Sequence, residues 1–103
     1  MPEEYRLIIF SPQEALAAVA QHGKQMLPSG EVSRIDIEGA ERTPTLLVAT
    51  MMPNQQLDLT TVGTSVLAAA LMTYCMRNSI PLPKRSAKSL ASKNGKIALE
   101  LRV

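Results

Sequence analysis

The residues best suited to chemistry are six basic side chains near the end of the chain. Lysine and arginine neutralise phosphate groups, and in the stretch "PKRSAKS" they alternate with serine hydroxyls that also bind phosphate oxygens. A basic segment at residues 84–96 therefore indicates contact with nucleic acid or with an acidic protein. The alternative is the solvated surface of a hairpin, where lysines oppose edge-to-edge aggregation. The candidate binding residues are Arg77, Lys84, Arg85, Lys88, Lys93 and Lys96.

Aromatic side chains give little support to base recognition. Sheets that bind single-stranded RNA stack bases on aromatic residues of their strands. The aromatic residues of this chain are Tyr5, Phe10 and Tyr74, and Tyr74 falls in a predicted helix. Nucleic-acid binding would therefore depend on contacts with the phosphate backbone.

The other reactive side chains lack the partners that catalysis or metal binding requires. His22 is the only histidine, and Cys75, the only cysteine, lies in an apolar stretch where a thiol behaves as a small hydrophobic group. Asp36 and Glu38 have a spacing that suits a cation, but charge alternation is also typical of a solvated strand face. We predict no cofactor, no metal site and no catalytic residue. An enzyme would need a site assembled from scattered residues.

Length and composition predict a single domain spanning residues 1–103. The chain has 103 residues, of which 46% are hydrophobic and 3% aromatic, so its core must be mainly aliphatic. One cysteine cannot form an internal disulfide, and the start of the chain lacks the basic residues of a signal peptide. The longest nearly apolar run, residues 62–76, is shorter than the roughly 20 residues of a membrane span. We expect a cytoplasmic protein that does not enter membranes.

Charge is distributed unevenly along the chain. Residues 1–76 contain 4 basic and 8 acidic residues, whereas residues 77–103 contain 7 basic and 1 acidic. Such a separation of charge can steer an acidic partner towards the basic end.

A strand, a helix and a hairpin are predicted in the first half of the chain. Tyr5–Phe10 is a run of strand-forming residues. The sequence Ser11-Pro12-Gln13-Glu14 has the hydroxyl, proline and carboxylate of a capped helix start, so helix one is predicted from Pro12 to the "LPSG" of residues 27–30. Residues 32–38 and 45–52 are predicted to pair as strands. The core-facing stripe of helix one is predicted to contain Leu16, Val19, Ala20, Gly23 and Leu27.

Helix two is predicted from Thr60 or Thr61 to about Asn78, after a polar connection at residues 53–59. Its apolar residues surround the helix axis, so it needs cover on more than one side. That cover is either helix one with the preceding linker or a second copy of the molecule.

The dipeptide Asn94-Gly95 predicts a two-residue type I′ turn between strands at 88–93 and 96–103. The turn fixes the register, with Lys93 opposite Lys96 and Leu90 opposite Leu99.

These elements predict an α+β fold with the order β-α-β-β-α-β-β. We expect a two-layer sandwich, compatible with a ferredoxin-like fold, with two helices on one face of an antiparallel or mixed sheet of four or five strands. The favoured function is a small non-enzymatic binding or protein-interaction module that forms a homodimer through helix two or a sheet edge. The alternative is a nucleic-acid-binding regulator that uses residues 84–96.

Overall fold

The computed structural model describes residues 5–22, 27–28, 30–84 and 86–102. Strand β1 spans Tyr5–Phe10 and helix α1 spans Pro12–His22, at the predicted starting positions. The helix begins with the expected capping box: the Ser11 amide donates to Glu14 Oε1 at 3.0 Å, and the Glu14 amide donates to Ser11 Oγ at 3.2 Å. The expected continuation of this helix to residue 27 falls partly outside the described residues.

Helix α1 faces the core with a slightly different stripe from the predicted one. Val19 is buried and Leu16 is partly buried, as expected, but Ala20 is exposed. The buried face is centred instead on Ala15, Ala18 and Val19.

The middle part of the chain forms an antiparallel sheet with the order β2-β3-β4, which we call the middle sheet. Strand β2 spans Glu31–Ala40, β3 spans Thr43–Met51 and β4 spans Leu57–Val62. The predicted hairpin of β2 and β3 is present, with a register shift between Val32 and Arg34.

Strand β4 is a correction to the predicted order, because residues 57–59 were assigned to a polar connection. Their short alternating pattern, Leu57, Asp58, Leu59, continues into the β-branched Thr60 and Thr61, which pair with β3. Helix α2 consequently begins later than predicted and spans Thr64–Arg77.

The end of α2 agrees with the prediction. Asn78 is the C-terminal cap residue, and both its amide and its side-chain Nδ2 donate to the carbonyl oxygen of Tyr74, at 3.0 and 2.8 Å. Pro81 and Pro83 follow in an irregular segment.

The first strand and the last two form a second antiparallel sheet with the order β1-β6-β5, which we call the terminal sheet. Strand β5 spans Ala87–Lys93 and β6 spans Lys96–Arg102. The predicted register is confirmed, with Lys93 opposite Lys96 and Leu90 opposite Leu99. Asn94 and Gly95 have φ values of 51° and 75°, as a type I′ turn requires.

One hydrophobic core joins both helices and both sheets. Helix α1 packs against α2, so the first helix provides part of the cover that α2 needs. The sheets approach each other where the Ser92 amide donates to the Glu41 carbonyl at 2.8 Å. The buried core residues are Phe10, Ala15, Ala18, Val19, Leu46, Val48, Val62, Leu67, Ala70, Leu71, Cys75, Leu90, Ile97, Leu99 and Leu101.

The α+β class with two helices is therefore confirmed. The described strands form two three-stranded antiparallel sheets, whereas one sheet of four or five strands was expected. The ferredoxin-like strand order is not confirmed by this hydrogen bonding.

Candidate functional site

The outer face of the middle sheet, which we define as the face opposite the core, carries exposed apolar side chains. Side chains alternate between the two faces of a strand. Leu46, Val48 and Val62 are buried on the core face, so the residues at the alternate positions of β3 and β4 lie on the outer face. Leu57 and Leu59 are 55% and 64% exposed. Large contiguous apolar patches on the surface of a protein are typical of interaction sites. A groove on this face is lined by Ser33, Arg34, Asp36, Glu38, Leu47, Ala49, Leu57 and Leu59.

The outer face of the terminal sheet has a second apolar row on its edge strand β1. Ile8 and Phe10 pack on the core, so Tyr5, Leu7 and Ile9 lie on the opposite face. All three are exposed, and Ile9 is 55% exposed. Both sheets thus carry large apolar side chains on faces that the core does not cover.

A buried carboxylate lies on the outer face of the terminal sheet beside this row. Glu100 of the central strand β6 is 1% exposed. Its oxygens accept hydrogen bonds from Arg42 Nη1 at 2.6 Å, Tyr5 Oη at 3.0 Å and Ser89 Oγ at 3.4 Å. Lys93 Nζ lies 3.9 Å from Oε1. We call these five residues the Glu100 cluster.

Strand pairing and one turn bring the Glu100 cluster together. Ser89 is directly opposite Glu100 in the pairing of β5 with β6, so the two side chains share a face. Arg42 comes from the turn between β2 and β3, which the hydrogen bond from Ser92 to Glu41 holds beside β5. The cluster therefore connects the two sheets.

Electrostatics keep Glu100 ionised. Burial raises the pKa of this carboxyl, but hydrogen bonds from Arg42 and Tyr5 outweigh burial, and the pKa is lowered from its usual value of 4.5. The same contact raises the pKa of Arg42. A carboxylate that several donors hold in its ionised form is a poor proton acceptor. The cluster is therefore better suited to holding its side chains in fixed positions on the surface than to acid-base catalysis.

The structure does not bring the predicted basic residues together as one patch. Lys88 Nζ donates to the carbonyl oxygens of Pro83 and Ser86, at 3.0 and 3.2 Å, and Lys93 contacts Glu100. Lys88 and Lys93 stand five residues apart on β5, which separates them by roughly 17 Å at the strand rise of about 3.3 Å per residue.

The remaining members of the predicted cluster lie at different places. Arg77 is exposed at the end of α2, where Nη1 donates to the Gln21 carbonyl at 3.4 Å. Lys84 is exposed before β5, and Lys96 is exposed at the start of β6. Arg85 lies outside the described residues. The predicted set is therefore distributed over a helix end, a loop and the two ends of a hairpin.

The other reactive side chains do not converge. His22 is exposed at the end of α1, and burial raises the pKa of the Cys75 thiol. Asp36 forms an ion pair with Arg34, and Glu38 lies further along the same strand. Within the described ranges, no group of three His, Cys, Asp or Glu side chains is placed to hold a metal ion.

Comparison with protein-family models, with curated proteins and with solved structures gave no match for this chain. In the part of the chain that the structure describes, no helix has the length and apolar character to cross a membrane.

Sequence reasoning missed both the Glu100 cluster and the apolar outer face. No role was predicted for Glu100, because its partners Tyr5 and Arg42 are 95 and 58 residues away in sequence. One signal was available: Glu100 is the single acidic residue among 7 basic ones in residues 77–103, which favours an ion-paired position. The outer apolar row of β4 was missed because that strand was not predicted.

Proposed function

We propose that this protein is a small non-enzymatic interaction module that forms a homodimer through the outer faces of its sheets. The observation that carries the proposal is the row of exposed apolar side chains on β4 and β1, represented by Leu59, Leu57 and Ile9. Edge strands normally carry charged residues or proline on exposed positions, because apolar edges promote association. Here β1 and β4 each expose one charged residue, Arg6 and Asp58, but on their outer faces they expose leucine and isoleucine.

The proposal uses the two-layer arrangement that the sequence predicted, with both helices on one side of the sheets. It is supported by the shared core, in which Leu46 and Val48 of the middle sheet and Ile97 and Leu99 of the terminal sheet join the helices. The opposite faces of both sheets would then form one continuous surface for a partner.

The test is the molar mass in solution, measured by light scattering and sedimentation over a range of concentrations. We expect a dimer at tens of micromolar for the unaltered protein and a monomer for Leu59→Asp, because a carboxylate within the interface would be buried without a partner. Met76→Asp is the matched control, since Met76 is 68% exposed on α2. We expect it to remain dimeric.

Two outcomes would contradict the proposal in different ways. A monomeric unaltered protein would reject self-association. A dimer that Met76→Asp dissociates and Leu59→Asp does not would move the interface to helix two, the other surface that the sequence analysis considered.

The nucleic-acid alternative has weaker support, because the amino groups of Lys88 and Lys93 are engaged within the chain. It rests on the exposed Lys84 and Lys96 at opposite ends of the β5-β6 hairpin. Binding of a generic oligonucleotide at low salt, lost steeply as salt rises and lost in the variant Lys84→Glu with Lys96→Glu, would favour it over the interaction module.

A further inference from the structure

The two sheets carry opposite charge. The strands of the terminal sheet contain five basic residues and one acidic residue, Glu100. The charge of Glu100 is neutralised by Arg42, its partner in the Glu100 cluster. The strands of the middle sheet contain four acidic residues and one basic residue, Arg34. Basic and acidic residues that lie in different parts of the sequence therefore lie on different sheets in the folded protein.

Part of each charge set lies on the outer face, beside the apolar rows. Lys96 and Ile9 line the same surface depression, and the Arg102 guanidinium lies 5.3 Å from the centre of the Tyr5 ring. On the middle sheet, Glu31 lies opposite Met51 and Glu38 opposite Thr45, on the face that Leu57 and Leu59 share. Lys96, Arg102, Glu31 and Glu38 are all exposed.

From this arrangement we infer the orientation of the homodimer, an inference that rests on the proposed function. The terminal sheet of each copy docks on the middle sheet of the other. A twofold axis generates both contacts at once, because every contact in such an interface is made twice. The occupant of each outer face is therefore a second copy of this chain.

Charge decides this orientation over its alternative. Docking like sheets on each other would oppose Lys96 and Arg102 to their own copies and Glu31 and Glu38 to theirs, and like charges across an interface oppose association. Crossed docking brings the basic rim of one sheet to the acidic rim of the other. The apolar rows on β1 and β4 meet in both copies, so each contact combines apolar burial with opposed charges, and stable protein interfaces use both.

The experiment reverses each rim separately. One variant carries Lys96→Glu with Arg102→Glu, and the other carries Glu31→Lys with Glu38→Lys. Each variant alone would present two rims of the same sign to its own copy, so we expect its dimer dissociation constant to rise by at least about 10-fold. A 1:1 mixture restores opposite rims at both contacts, and we expect a heterodimer that associates about as tightly as the unaltered protein.

Arg77→Glu with Lys84→Glu is the matched control, because it makes the same change of charge outside the strands. We expect its dissociation constant to stay within about threefold of the unaltered value, and circular dichroism confirms that each variant is folded. Dimers of both rim variants as tight as the unaltered dimer would overturn crossed docking while leaving the homodimer itself in place. An unaltered protein that stays monomeric would reject the proposed function on which the orientation rests.

Discussion

Arg42 and Glu100 form an ion pair between the two sheets, with Nη1 of the arginine 2.6 Å from Oε2 of the glutamate. Arg42 belongs to the turn of the middle sheet, and Glu100 to the central strand of the terminal sheet. The arginine side chain is 59% exposed and the glutamate side chain 1%. Loss of the pair would leave the arginine in water but the carboxylate desolvated, so the contact constrains Glu100 much more than Arg42.

Glu100 is expected to make stability sensitive to acid. Its pKa is lowered in the folded protein, so the folded state favours the ionised carboxylate. This stabilisation is complete above the usual value of 4.5 and is lost as the pH falls through the lower pKa of the folded protein. We expect Glu100→Gln to lose about 1.5 to 3 kcal/mol of unfolding free energy at neutral pH, the range for hydrogen bonds to a charged group.

Urea denaturation at neutral pH and at about pH 3 measures this effect. The difference between the unaltered protein and Glu100→Gln should shrink in acid, because the stabilisation by the ionised carboxylate is lost as the pH falls through its lowered pKa in the folded protein. Glu38→Gln, at an exposed carboxylate, is the control and should change stability little at either pH. A difference for Glu100→Gln that is equal at both pH values would show that its charge does not stabilise the fold.

The packing of α2 predicts that substitutions at two positions of this helix have very different effects on stability. Leu71 is 0% exposed in the core, whereas Met76 is 68% exposed on the same helix. Replacing Leu71 by alanine should cost about 2 to 5 kcal/mol, because it removes buried methyl groups and leaves a cavity. Met76→Ala should cost less than about 0.5 kcal/mol. Equal losses in chemical denaturation would mean that the helix is rotated from the described position.

Local signals predicted most of the secondary structure correctly. The capping box at Ser11 and Glu14 and the Asn94-Gly95 turn are determined by residues close in sequence, and the structure confirms both. Strand β4 was missed because Thr60 and Thr61 serve equally as strand residues and as helix caps. Pairing with β3 decides that these residues belong to a strand, and the local sequence pattern carries no information about that pairing.

The candidate site was much less predictable than the fold. The predicted basic residues all lie between positions 77 and 96, but an extended strand holds its ends far apart, which separates Lys88 from Lys93. The Glu100 cluster has the opposite character, since Tyr5 and Arg42 reach Glu100 only through the pairing of distant strands. Lys93 and Lys96 are brought opposite each other by the turn, but Lys88 is held away from them by the strand.

Helix α1 provides a test of the capping box. Ser11→Ala removes the hydroxyl that accepts the Glu14 amide, and the cost is expected to be about 1 kcal/mol. The Ser11 amide and hydroxyl also lower the pKa of Glu14, so the variant should move this pKa back towards its usual value. Ser65→Ala, at an exposed position in the first turn of α2, is the control and should change stability by no more than about 0.5 kcal/mol. Denaturation curves and carboxyl titration by NMR measure the two effects.

The turn at Asn94 and Gly95 predicts a loss of stability that owes nothing to side-chain packing. A Cβ added at Gly95 would meet no atom within 4 Å, but its φ of 75° lies in the left-handed region. Gly95→Ala should therefore cost about 1 to 2 kcal/mol from backbone strain alone. Gly95→Asn is the matched control, because asparagine tolerates this conformation, and it should retain most of the stability. If alanine and asparagine lower the free energy of unfolding equally, the loss comes from the added side chain and not from the left-handed backbone of the turn.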